Sequence, residues 1–236
     1  MEAVHYHFED RDSQSDTLAL LVAAQLRAAI AERHEASLVV SGGSTPLAMF
    51  RRLSQADLDW SKVTVTLADE RWVPASHADS NTAMVRANLL RDKAAAATFL
   101  PLYREAGSVE EGIEASNTHI KDVAGTWDLV ILGMGDDGHT ASLFPCAAPD
   151  ELAAGLGGGD SGAEACVIMH PGQAPHTRIT QTLPRLLDSR KLILHIAGQS
   201  KLDVLRAALG GQSVADMPIR AFLQQDSVPL DIISAP

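Results

Sequence analysis

The run Gly133-Met-Gly-Asp-Asp-Gly-His-Thr-Ala-Ser-Leu-Phe-Pro145 sets one histidine beside two carboxylates in a glycine-rich turn. An imidazole with an unperturbed pKa of about 6.5 exchanges a proton near neutrality, and a neighbouring carboxylate fixes its tautomer and strengthens it as a base. His139 is therefore a candidate general base. The same run holds a literal GxGxxG at Gly133, Gly135 and Gly138, the pattern of a dinucleotide-binding turn. Asp136 and Asp137 stand where a pyrophosphate would have to lie, and Pro145 keeps any following helix short, so that reading is set aside.

Two further segments carry chemistry. In Ser41-Gly-Gly-Ser-Thr-Pro46 the glycines allow a tight turn, Ser44 or Thr45 can cap a helix, and Pro46 suits its first turn. That arrangement presents free N–H groups to an anion. No Gly-Lys-Ser/Thr follows, so it is not a nucleoside-triphosphate loop, and a plain capped turn uses the same residues. In Asp69-Glu70-Arg71-Trp72-Val73-Pro74, three successive charges are costly at a buried strand end unless they pair or meet a ligand. One carboxylate is expected to orient Arg71 toward a substrate oxygen, the alternative being a purely structural ion pair.

These segments need a frame. Strand-like runs at residues 5–8, 37–40, 63–67, 128–132, 166–170, 191–197 and 231–233 alternate with longer amphipathic stretches. Several runs are apolar without alternation, as strands buried on both faces are. Helical stripes are read at 18–30, 46–53, 81–90, 109–123 and 201–209. The expected fold class is α/β: an open, mainly parallel, Rossmann-like sheet with helices on both faces, in one domain over 1–236. In such sheets ligands bind beyond the carboxyl ends of the strands, where the three loops fall. The stretch 153–165, with five glycines, reads as a mobile surface loop.

The chain carries 19 Lys and Arg against 30 Asp and Glu, a net charge of -11, which disfavours nucleic-acid and anionic-membrane partners. An anionic substrate must then meet a local positive pocket. Apolar runs fall short of the roughly 18 residues of a membrane span. Cys146 and Cys166 suggest no disulfide framework or metal knuckle, and no signal-peptide pattern precedes Glu2, so a cytoplasmic protein is expected. His5 and His7 share strand spacing, but no third metal ligand is suggested nearby, and a solvated strand edge is the expectation. His170, His176 and His195 lie near strand ends and receive no role. Trp60, Trp72 and Trp127 are read as core or strand-flanking residues, since the basic interleaving of a nucleic-acid surface is missing.

Taken in order, Ser41 to Pro46, Asp69 to Pro74, Asp79-Ser80-Asn81, Gly133 to Pro145, Arg178-Ile179-Thr180 and Lys201 resemble the 6-phosphogluconolactonase family over nearly the whole chain. The resemblance implies hydrolysis of 6-phospho-D-glucono-1,5-lactone to 6-phosphogluconate, in the oxidative pentose phosphate pathway, without organic cofactor; no metal is expected either, since a histidine would make the nucleophile and no closed set of ligands can be drawn from the sequence. It implies a catalytic set of His139, Arg71 and Asp137, with His139 as base and Arg71 stabilising charge on the lactone oxygen or carboxylate. Gly42, Gly43, Ser44, Thr45, Asp69, Arg178 and Lys201 form the implied substrate- and phosphate-binding set. The partner is a small sugar-phosphate lactone, bound by a monomer or small homo-oligomer. Glucosamine-6-phosphate deaminases and isomerases are similar, but they carry a glutamate five residues after the histidine, where this chain has Phe144. A non-catalytic sugar-phosphate sensor is a further alternative, with little use for a poised His139. Lys201, in the first turn of its helix, also suggests a bound anion, because a cation there opposes the helix dipole.

Overall fold

A computed structural model describes residues 3–123, 125–158, 164–172 and 174–236. The strands in chain order are β1 (Val4–His7), β2 (Ala36–Val40), β3 (Val63–Leu67), β4 (Asp69–Arg71), β5 (Thr98–Leu100), β6 (Leu129–Leu132), β7 (Cys166–Met169), β8 (Arg178–Gln181), β9 (Leu192–Ala197) and β10 (Leu230–Ala235). The helices are α1 (Arg11–Arg33), α2 (Leu47–Leu53), α3 (Asn81–Asn88), α4 (Val109–Val123), α5 (Pro149–Gly155), α6 (Leu183–Leu187), α7 (Gln199–Leu209) and α8 (Arg220–Leu223). Seven strands form a parallel sheet in the order β1-β10-β9-β6-β2-β3-β5. All four residues of β6 are buried, as are the first five of β9. Successive side chains point to opposite faces, so both faces of the central sheet are covered.

Helix α1 shows how local sequence sets the frame. Asp10 caps it by accepting from the Ser13 N–H at 2.7 Å, and His34 ends it in the left-handed region at φ 68°. Its stripe of Leu18, Val22, Leu26 and Ala29 is buried. At its last turn Arg33 reaches the Asp128 carboxylate at 2.7 Å, and the same carboxylate accepts from the Ser37 N–H at 2.8 Å, tying the entries of β2 and β6 together.

A second, three-stranded antiparallel sheet has the order β4-β8-β7. The run at 166–170 was expected in the parallel sheet and instead lies here, as β7. Residues 69–71, expected as a loop after β3, and 178–181, not among the expected strands, are strands of this sheet. The two sheets meet at Ala68, whose N–H donates to the Val40 carbonyl at 2.9 Å while its own carbonyl accepts from the Gln181 N–H at 2.8 Å. Gln181 strengthens the joint, donating from its side chain to the Leu67 carbonyl at 2.7 Å. Neither Ser44 nor Thr45 caps α2; Pro46 holds that position and makes no side-chain cap bond. Of the stretch expected as a mobile loop, residues through Gly155 belong to α5, and 159–163 lie outside the described residues.

Candidate active site

Beyond the carboxyl ends of β2, β3, β6 and β9 opens a cavity of 370 Å³. His139, Arg71, Arg178, Lys201, Asp69 and the 42–45 loop all line it, so the structure gathers the proposed set around one space. Asp137 stands behind His139.

The 133–145 loop leaves β6 and folds back on itself. Gly135 donates to the His139 carbonyl at 2.8 Å, and Gly138 takes φ 78°, a left-handed conformation suited to glycine. A Cβ on Gly135 would fall 2.0 Å from His139 Nδ1, so only glycine lets the ring lie over the turn. Asp137 Oδ1 accepts from the His139 N–H at 3.0 Å and lies 2.5 Å from ring Nδ1. Partial burial pulls the Asp137 pKa upward, but the hydrogen bonds from the His139 side chain and backbone outweigh it and hold it below the usual carboxylate value. An ionised carboxylate only accepts, so the hydrogen bond to Asp137 places a proton on Nδ1, and Nε2 makes no hydrogen bond among the described residues. The Phe144 ring packs 4.4 Å from the imidazole and fixes its other side. Ala141, at φ 48°, completes the turn, and Ser142 donates to Asp69 Oδ2 at 2.6 Å. Asp69 therefore lines the cavity and also latches the histidine loop to β4.

Arg71 and Arg178 stand directly opposite each other across β4 and β8. Side chains opposite one another share a face, and like charges so placed repel. The Arg178 pKa is lowered, first by burial and then by the Arg71 charge. Arg178 is 5% exposed, and its Nε has no hydrogen-bond partner among the described residues. The Asp69 or Glu70 carboxylate was expected to orient Arg71; its guanidinium instead donates to the Asp79 carbonyl. Glu70 turns away, accepting from the N–H groups of Arg71, Asn81 and Thr82, each at 2.7 Å, which anchors the start of α3. Among the described residues neither guanidinium makes a close ion pair, although the charges of Asp69, Glu70 and Asp79 act on Arg178 and partly offset that of Arg71.

The N–H groups of Gly42, Gly43, Ser44 and Thr45 donate to no acceptor among the described residues. Gly42 is required by close approach, since a Cβ would meet Asn81 Oδ1 at 2.0 Å. Gly43 has φ 99°. Lys201 sits in the first turn of α7, and the anion beside it is the exposed Asp136 carboxylate, 2.8 Å from Nζ. That corrects the expectation that its placement alone implies a ligand, because Asp136 already offsets the helix dipole.

Sequence reasoning assigned no role to His195, which also lines the cavity. It lies in β9, is 3% exposed, and neither ring nitrogen has a partner among the described residues. Burial lowers its pKa to about 4. The signal in the sequence was a single polar residue inside the apolar run Leu192-Ile-Leu-His-Ile196. His5 and His7 both bond the Ser234 hydroxyl, at 2.8 and 2.9 Å. Trp60 and Trp127 are buried, and Cys146 and Cys166 are free thiols. Among the described residues no helix is long and apolar enough to cross a membrane.

The family model described as glucosamine-6-phosphate isomerases/6-phosphogluconolactonase matches residues 9–230. A 6-phosphogluconolactonase of Pseudomonas aeruginosa is 47% identical over 211 residues, covering 89% of this chain and 87% of the relative. One from Rhizobium meliloti is 44% identical over the full length of both chains, 236 residues here. The crystal structure of a 6-phosphogluconolactonase from Shewanella baltica superposes with a TM-score of 0.95 at 42% identity, covering 100% of this chain and 98% of that one.

Proposed function

The chain belongs to the glucosamine-6-phosphate isomerase/6-phosphogluconolactonase family and is a lactone-hydrolysing enzyme, and from that premise we propose that it opens 6-phospho-D-glucono-1,5-lactone to 6-phospho-D-gluconate with His139 as general base. Water sits between His139 Nε2 and the lactone carbonyl carbon. As its oxygen bonds to that carbon, its proton passes to Nε2, and Asp137 steadies the imidazolium that forms. Arg71 stabilises the oxyanion of the tetrahedral intermediate. When the intermediate collapses, the ring carbon–oxygen bond breaks, the departing oxygen takes the proton back from the imidazolium, and the carboxylic acid so formed loses its remaining proton to solvent, leaving the carboxylate beside Arg71. Arg178, Lys201 and the free N–H groups of residues 42–45 hold the phosphate.

The observation that supports this reading best is the imidazole tied at Nδ1 to Asp137, in one cavity with two facing arginines. Phe144 speaks against the deaminase and isomerase branch, because no carboxylate stands there to relay a ring-opening proton. The lactone also hydrolyses unaided, so the test is a rate comparison. Lactone generated by glucose-6-phosphate dehydrogenase should disappear faster in proportion to added protein. No acceleration at any concentration overturns the proposal, and ammonia released from glucosamine 6-phosphate would favour the deaminase branch.

A further inference from the structure

At the rim of the cavity, outside its lining, His77 and Asp79 follow β4 while His176 precedes β8. One ligand atom from each lies within 4.8 Å of the others. His176 Nε2 is 2.9 Å and His77 Nδ1 3.9 Å from Asp79 Oδ2. Donors placed tetrahedrally around an ion at about 2.0–2.1 Å are spaced by about 3.4 Å, between these two separations. The imidazoles meet edge to face, with centroids 5.2 Å apart and planes at 78°. We propose that His77, Asp79 and His176 bind a divalent transition-metal ion of the zinc type, bridging the two segments that lead to Arg71 and Arg178.

The donor set selects the ion. Two imidazoles and one carboxylate suit zinc, cobalt or nickel, whereas calcium and magnesium demand oxygen-rich shells. The side chains of His77, Asp79 and His176 are 44%, 52% and 26% exposed, leaving room for water to complete the coordination. A second observation lies in the backbone. His176 is held at φ 69°, a left-handed conformation that is uncommon for a residue with a side chain, and this turn points its ring at Asp79. Without an ion, the His176–Asp79 hydrogen bond and a 3.1 Å bond from the Asp79 N–H to His77 Nδ1 occupy the donors. Metal binding replaces both and releases the bridging proton. The ion takes no part in hydrolysis. It fastens Asp79, whose carbonyl holds the Arg71 guanidinium, to the strand that carries Arg178.

The test uses the full chain stripped by a chelator and titrated with Zn2+ against a chromophoric competitor. One ion per chain is expected, with the affinity lowered about 10-fold or more in His77→Ala and in His176→Ala. His7→Ala, which alters the separate His5/His7 pair, serves as control and should leave the affinity unchanged. Co2+ should give visible absorption bands that disappear in His176→Ala, and Zn2+ should raise the unfolding midpoint of the wild-type chain and not of that variant. His77 is exposed and His176 half-buried, so the metal-free midpoint of each variant is measured beside its Zn2+-induced shift, and only the shift is expected to vanish. Absence of saturable binding overturns the proposal, as does binding that survives in both variants or fails in the control.

Discussion

Asp137 acts on His139 twice, through the ring and through the backbone N–H, so losing its charge disturbs both tautomer and position. His139→Ala should lower turnover by roughly 10²-fold to 10⁴-fold, the range for a positioned base, while the chain stays folded because the residue is in a surface-facing loop. Asp137→Asn should give a smaller loss, confined to kcat with KM little changed, since the residue touches the base and not the substrate. A His139→Ala enzyme of near-normal turnover would reject the assignment. Asp136 predicts the opposite sign. Its carboxylate occupies Lys201 Nζ and must yield when a phosphate arrives. The pair is largely exposed on the Asp136 side, so it is worth about 0.2–1 kcal/mol. Asp136→Asn should therefore lower KM for the phosphorylated lactone by up to about 5-fold. A raised KM would mean that Asp136 positions Lys201 and does not compete for it.

At the scale of elements, the site depends on a small sheet set against a large one. The register that places Arg71 opposite Arg178 brings two cations into one cavity, and each should act through the anion that relieves their repulsion. Arg178→Ala and Lys201→Ala should raise KM for 6-phosphogluconolactone by far more than they change the opening of unphosphorylated gluconolactone, because only the former offers a phosphate. Equal effects on both substrates would move these residues to the reacting carbonyl or to structure. The parallel strands were legible because burial on both faces leaves unbroken apolar runs, as in Leu129-Val-Ile-Leu132. Helix α4 was legible to its ends. β4 and β8 were not, since Asp69-Glu-Arg71 and Arg178-Ile-Thr-Gln181 lack the unbroken apolar pattern of the parallel strands, although every residue of β8 is buried. Several of their polar groups, Arg178 Nε excepted, find partners distant in sequence, such as Ser142 on Asp69 and Trp127 on Gln181. The same distance hid the His176 and Asp79 pair, 97 residues apart. The loops after the strands announced the site; the contacts between loops, which fix Arg71 and neutralise Lys201, had no local pattern to announce them.

At the scale of the whole molecule, His195 couples the site to global stability. It lies in β9, between β10 and β6 in the middle of the sheet, and at 3% exposure its ring is shielded from bulk solvent in the fold although it borders the cavity. In the unfolded chain its pKa returns to about 6.5, while burial holds it at about 4 in the fold. Between these values the unfolded state binds the extra proton, so stability rises with pH across this window. The contribution is fully present above about pH 6.5 and is lost as the pH falls toward 4. The displacement corresponds to about 3 kcal/mol, a large fraction of the 5–15 kcal/mol that holds a typical domain together. Asp137 and Asp79, whose pKa values are lowered, act in a separate window, since their contribution is present above the ordinary carboxylate value and is lost only below it. Replacing His195 by leucine removes the titrating ring without removing the buried volume. Urea unfolding at a series of pH values between 4 and 7 should therefore show a stability slope lower by up to about 1.4 kcal/mol per pH unit in His195→Leu than in the wild-type chain. Parallel slopes in the two proteins would show that His195 reaches solvent or a partner in the folded state, and the acid sensitivity of the fold would have to come from elsewhere.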